Sequence, residues 1–361
     1  MPPTRRLVLL GLGAGLAAPG RARAQGQDGP DRRAIALRIA RDVLVPGYRS
    51  FAEANASQAA AWEAFRAGPD PAGVAGLRQA FQAAADAWSG IEAVCAGPIA
   101  VENRFERVAH WPERRNAVSR AVAGLLEETG DLTPERLRRA SVAGQGLTAL
   151  ERLLYGEAEG GAARAADELA APAGGRRRAL GAAIAGNLRE IGAETLSGWT
   201  GNEGEAAAYE RASPEAAREI LTRLATDQLA QIEAVEDAKL ATVLGKGPDG
   251  ARPLLAEGWR AGRSLRAIAL NLAAAEAFTR AALSHEPERL RAVEAGAATA
   301  RSVADGLAAG SAELGALAAD PKGRGRLVLL RDAVASARAV CGPAYAEALG
   351  ITIGFNSRDG D

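Results

Sequence analysis

Gly144-Gln145-Gly146-Leu147-Thr148-Ala149-Leu150-Glu151-Arg152-Leu153-Leu154-Tyr155-Gly156 lies near the middle of the 361-residue chain, and its spacing governs how the rest is read. On a helix of 3.6 residues per turn, Leu150, Leu153 and Leu154 face a core, while Thr148, Glu151 and Tyr155 share another face at i, i+3 and i+7. Glycines open and close the segment. The pattern predicts a short rigid helix that projects a carboxylate beside a hydroxyl, an arrangement that can serve a ligand. The same spacing also describes an ordinary amphipathic helix whose Glu151 pairs with a neighbouring arginine, which is the commoner case.

On either side the same periodicity recurs, with breaks. Toward the N-terminus, helical spacing begins after a polar linker at about Asp31, and Pro46-Gly47 is expected to divide it into a short and a longer helix. A turn at Gly68-Pro69-Asp70-Pro71 precedes a helix from about Ala72 to Val94, closed by Gly97-Pro98. Glu102 to His110 reads as helical and stops at Trp111-Pro112, because the residue before proline avoids the helical region. Asn116 to Thr129 is a further helix. Thr133-Pro134-Glu135 is a start signal, with threonine as cap and proline at the first helical position. Residues 160–175 read as a loop or short helix, and Gly174-Gly175-Arg176-Arg177-Arg178 launches a helix to about Leu196, its arginines taken as a solvated start.

A break falls near Gly198 to Glu205. Beyond it, Ser213-Pro214-Glu215 caps a long helix with Leu221, Ala225, Leu229 and Ile232 on one face. A Gly-rich loop spans Leu244 to Pro253, a helix runs from Trp259 to Ala282, His285-Glu286-Pro287 turns the chain, and two helices flank Asp320-Pro321. No run of period two is found. The expected fold is all-α, built as helical bundles over residues 33–200 and 201–361.

Composition agrees. Hydrophobic residues make up 48% and charged residues 24%, a globular balance, while aromatics are only 4%, so close packing of small side chains must supply much of the core. Residues 1–24 read as a cleavable signal peptide: Arg5-Arg6 precede an apolar run to about Ala18, and Ala22-Arg23-Ala24 is a small-x-small cleavage site. Export to the periplasm or cell envelope is the expectation: the twin arginines suit the pathway for folded proteins, and two basic residues also suit the general route. Residues 25–32 form the linker. Removing Arg5, Arg6, Arg21 and Arg23 from 44 basic residues, against 44 acids, leaves a charge of about −4, which gives no reason to expect nucleic acid. No apolar run of membrane length follows the leader. Cys95 and Cys341 each precede Gly-Pro or Ala-Gly-Pro at an expected helix end. In an oxidising compartment they either pair, stapling the first third of the chain to its end, or remain two buried thiols.

Gly146-x-Thr148-x-x-Glu151 resembles the Gly-x-His-x-x-Glu signature of the imelysin-like family of bacterial envelope proteins, with threonine in place of histidine. Asn103-Arg104 followed by Trp111-Pro112 is similar to the family's segment ahead of that signature, and Gly354-Phe355-Asn356-Ser357-Arg358-Asp359-Gly360-Asp361 is similar to the terminus of some members. The resemblance implies two helical-bundle domains related by a rough duplication, with the signature facing a groove between them. It also implies a link to iron uptake and to metallopeptidase activity, with the signature histidine and glutamate as metal ligands.

Residue chemistry qualifies those implications. Glu151 remains as a candidate ligand for a divalent metal or iron, but the Thr148 hydroxyl is a poor donor to a transition metal. His110 and His285 are isolated beside proline-containing turns, and the single Met is Met1. A zinc hydrolase needs three protein ligands and a water, and no His-Glu-x-x-His helix, Gly-x-Ser-x-Gly elbow or local Cys-His pair occurs. Binding fits better. Glu102, Asn103, Arg104, Arg107 and His110 lead to Trp111, and Gln145, Thr148 and Glu151 are expected to face them. Arg260 and Ser264 at i, i+4, and Arg263 and Arg266 at i, i+3, add guanidinium groups suited to a small anionic or polyhydroxy ligand. Candidate ligand-binding residues are therefore Asn103, Arg104, Trp111, Gln145, Thr148, Glu151 and Arg263. The expected protein is an exported binding or accessory protein, tied to iron acquisition and other envelope uptake components. A metal-dependent envelope peptidase and a structural or partner-docking protein are the alternatives.

Overall fold

The computed structural model describes residues 30–353, so the expected signal peptide and the Gly354 to Asp361 ending lie outside the described residues. Sixteen α-helices are present among them. The first half holds α1 (Arg32–Ile39), α2 (Val45–Ala67), α3 (Gly73–Ser89), α4 (Arg104–Val108), α5 (Ala117–Glu127), α6 (Pro134–Arg138), α7 (Leu147–Tyr155), α8 (Ala162–Ala170) and α9 (Gly175–Thr200). After a turn at 201–204 come α10 (Glu205–Glu210), α11 (Pro214–Ala234), α12 (Thr242–Leu244), α13 (Ser264–Leu283), α14 (Pro287–Ala308), α15 (Leu314–Ala319) and α16 (Pro321–Leu349). No strand occurs among the described residues, and the fold is all-α.

Local signals set many helix starts. Thr133 accepts a hydrogen bond from the Arg136 N–H, Ser213 from Ala216 and Asp320 from Gly323, each quenching an orphan donor of the first turn. The arginines that open α9 have more to do than meet solvent. Arg176 donates to the Leu125 carbonyl at 2.9 Å and Arg178 to those of Leu169 and Ala171 at 2.7 and 2.8 Å, so they cap the ends of α5 and α8.

Two prolines expected to end helices lie within continuous ones. Pro46 does not break the first helix: a π-helical segment, Ala40–Leu44, joins α1 to α2, and the Val45 N–H reaches back to the Ala40 carbonyl. The widened turn accommodates the missing donor of the next residue. Pro343 likewise lies inside α16, so Cys341 is mid-helix, whereas Cys95 lies in the irregular segment after α3. The two cysteines are not joined by a disulfide.

Packing places the halves against each other. α2 lies along α9 and α3, and α13, α14 and α16 pack together with α11. α9 is buried nearly all round from Leu180 to Leu188, as a central helix must be. The long N-terminal helix belongs to both halves, because α1 packs on α10, α11 and α13 while α2 packs in the first half.

Candidate functional site

α7 forms as its spacing dictates. Leu150, Leu153 and Leu154 are fully buried, and Gly146 and Gly156 stand at its ends. Gly146 has a steric reason: a Cβ there would sit 2.2 Å from the Val108 carbonyl oxygen and 2.3 Å from that of Arg107. This close approach brings the start of α7 under the end of α4. The His110 N–H then lies 3.4 Å from Thr148 Oγ1, and the Trp111-Pro112 peptide, which is cis, turns the chain along the face of α7.

Between the halves is a cavity of about 850 Å³. The first half contributes His110, Trp111, Glu113, Thr148, Glu151 and Arg152, and the second contributes Leu254, Leu255, Ala256, Trp259 and Arg260. The Glu151 side chain is only 6% exposed, and its Oε2 stands 3.9 Å from Arg152 Nη1. Its Oε1 accepts a hydrogen bond from the Ala261 N–H at 3.0 Å. Burial raises the Glu151 pKa above the ordinary carboxyl range, opposed by that hydrogen bond and by Arg260, Arg152 and Arg263. Arg152 pairs with Glu113, with Ser119 Oγ at 3.0 Å and with Glu157 at 3.4 Å. The Arg260 guanidinium lies 4.1 Å from the centre of the Trp259 ring, and burial followed by repulsion from Arg152 lowers its pKa.

Of the residues singled out from sequence, Trp111, Thr148 and Glu151 meet in this cavity, with His110 and Arg260 beside them. The others lie elsewhere. Asn103 is an exposed helix cap in the left-handed region, because 102–110 is not one helix: Glu102 and Asn103 both have positive φ and α4 begins at Arg104. Arg104 pairs with Glu194 at 2.6 Å and donates to the Pro98 carbonyl at 2.9 Å. Gln145 accepts from Arg107 Nε at 2.8 Å, while Arg107 also reaches Asn187 at 2.7 Å, which makes a closed buried network. Arg263 is held on Asp86 at 3.1 Å, and the helix expected from Trp259 begins only at Ser264, leaving Arg260 and Arg263 ahead of it.

A second polar cluster escaped the sequence reading. Lys239, in the π-helical segment Val235–Ala241, pairs with Glu92, with Glu257 at 2.7 Å and with Asn271 Oδ1 at 2.7 Å. Gln231 and Asn271 also donate to Glu92, at 2.7 and 2.9 Å. Lys239 Nζ lies 5.5 Å from the centre of the Trp111 ring, directly adjoining the cavity wall. The one signal was that Lys239 is among three lysines in a chain whose cations are otherwise arginines.

The donor set does not match a transition-metal centre. The signature pair is reduced to Glu151, one of whose oxygens is already engaged, and among the described residues no three His, Cys, Asp or Glu side chains converge to hold a metal ion. His110 Nδ1 is 3.5 Å from Glu106, and His285 contacts the Ala348 carbonyl at 3.1 Å.

The fold and cavity define an all-α protein with a polar pocket walled by both halves. The family model described as Peptidase_M75, imelysin, matches residues 44–340, and the chain belongs to the imelysin family. An imelysin-like protein from Psychrobacter arcticum 273-4 shares the fold with a TM-score of 0.69 at 18% identity, over 90% of this chain and 97% of its own. A protein from Parabacteroides distasonis ATCC 8503, provisionally named iron-regulated protein A precursor, gives 0.66 at 14% identity, over 89% of this chain and 97% of its own. None of the curated proteins matches.

Proposed function

We propose that this chain is an exported protein of the periplasm or cell envelope that binds a small ligand in the cavity between its halves, as a binding or accessory component of iron acquisition. The observation that carries this reading is Glu151: a buried carboxylate on the family's own motif, facing a cavity completed by the other half. Buried carboxylates are costly, so one left short of partners at a cavity wall is a site candidate. The rings of Trp111 and Trp259 give the pocket aromatic surface, and His110, Glu113, Thr148, Arg152 and Arg260 set polar groups around Glu151, the mixed lining that fixes a small polar ligand. The iron connection rests on the name of the Parabacteroides protein. Binding is favoured over hydrolysis because a zinc hydrolase requires three protein ligands and a water.

The test is thermal unfolding of the protein from residue 25 onward, titrated separately with iron, zinc, phosphate and citrate. A ligand present at 100 times its Kd stabilises by about 2.7 kcal/mol. The expected result is stabilisation that Glu151→Ala abolishes and Arg104→Ala, outside the cavity, retains. Binding that survives Glu151→Ala points instead to a docking seam. One bound zinc per chain with peptide hydrolysis replaces this reading by the peptidase.

A further inference from the structure

Residues 258–262 stand between two spaces. Trp259 and Arg260 line the 850 Å³ cavity and also a second one of about 470 Å³, bounded by Tyr155, Pro253, Ser264 and Glu313. The base of this loop is pinned. The Arg263 N–H donates to the Gly258 carbonyl at 3.1 Å, and the Arg263 side chain is anchored on Asp86 of α3. Gly258 and Gly262 bracket the tip with φ of 62° and 65°, backbone angles that glycine adopts freely and that suit a pair of hinges.

The tip itself is clasped by the first half through one residue. Glu151 Oε1 accepts the Ala261 N–H at 3.0 Å, and Gln82 Nε2 donates to the Ala261 carbonyl at 3.0 Å. Gln82 is steadied in turn by the Tyr155 hydroxyl at 3.2 Å. A further polar link, Arg260 to Glu157 at 3.6 Å, ends on a half-exposed carboxylate, and such pairs contribute little.

We propose that residues 258–262 form a movable partition between the two cavities, latched shut by Glu151 and Gln82, and that when it swings out the two spaces join into one groove. In this chain Glu151 thus also positions the cavity wall through its Oε1, beside the ligand role proposed for its cavity-facing oxygen. The assignment builds on the cavity as the ligand site. Partition movement, however, is measured in ligand-free protein, so the two readings fail separately.

Hydrogen exchange on the ligand-free mature protein tests it. Loss of one bond to a charged or buried partner shifts a local opening equilibrium about tenfold. Amides 259–262 are expected to exchange about tenfold faster in Glu151→Ala and in Gln82→Ala, and faster again in the double variant, with α7 and α13 unchanged. Glu151→Gln keeps an acceptor oxygen and is expected to remain near wild type. Should Glu151→Ala fail to fold, Gln82→Ala reads the same latch from its other side. Unchanged exchange at 259–262 in Gln82→Ala, or an increase spread evenly along the chain, overturns the proposal.

Discussion

Glu92 and Glu151 are both buried carboxylates of the first half turned toward the second, and they are treated differently. Glu92 is held by three donors: Lys239, Gln231 and Asn271 all donate to its Oε1. Glu151 has one backbone N–H, and its other oxygen faces the cavity with Arg152 at 3.9 Å. Burial pulls the Lys239 ammonium toward neutrality, but Glu257 and Glu92 outweigh it and hold its pKa above the ordinary lysine range. Burial is the largest influence at both carboxylates and raises the pKa of each, so what differs between them is their partners. The contrast teaches that one part of the seam is closed polar glue, while the neighbouring part, across Trp111, is an open cavity.

The sharpest way to break that contrast is at the glue. Lys239→Met leaves Glu92 and Glu257 buried without their cation, and is expected to cost about 3–5 kcal/mol in urea unfolding. A loss below about 1 kcal/mol would mean that water reaches the seam and that the two carboxylates are alike after all. Next in size is Gly146→Ala. The new methyl meets the backbone carbonyls of Arg107 and Val108, which cannot withdraw as a side chain tip can, so a loss of about 1–3 kcal/mol is expected by the same measurement.

A smaller effect is a pH dependence at Glu151. Because the folded pKa of Glu151 is raised, its contribution to stability is present below the ordinary carboxyl range and is lost as pH rises through the folded value. Glu151→Gln should therefore be more stable than wild type at pH 7, with the gap closing as pH falls toward the ordinary carboxyl range, in paired thermal melts. A Glu151→Gln variant less stable at pH 7 would show that Arg152 and Arg260 matter more than burial. The smallest expectation is a null: reductant leaves the melting temperature unchanged. Cys341, buried with its thiol pKa pushed up to about 11, should resist alkylation at pH 8 until the chain unfolds.

Much of the helix pattern was legible because its signals are local. A cap such as Thr133 or Ser213 bonds three residues on, and the leucines of α7 need only helical spacing to face the core. The failures have a common origin. Pro46 and Pro343 were read as breaks, yet packing of the long helices carries the chain through both. The helix expected from Trp259 starts late because Gly258 and Gly262 turn left-handed, and Arg263 is drawn to Asp86. Thr148 and Glu151, expected to share a face, both line the cavity. Arg104 and Gln145, equally polar on paper, turned inward to Glu194 and Arg107.

By itself, then, the sequence determined an all-helical chain and one short helix carrying Thr148 and Glu151 on a common face, since periodicity and capping act over three or four residues. Only the tertiary structure decided what that face meets. The cavity draws on residues from 110 to 260, and the Lys239 cluster on residues from 92 to 271, so their grouping depends on how the halves dock rather than on any spacing along the chain.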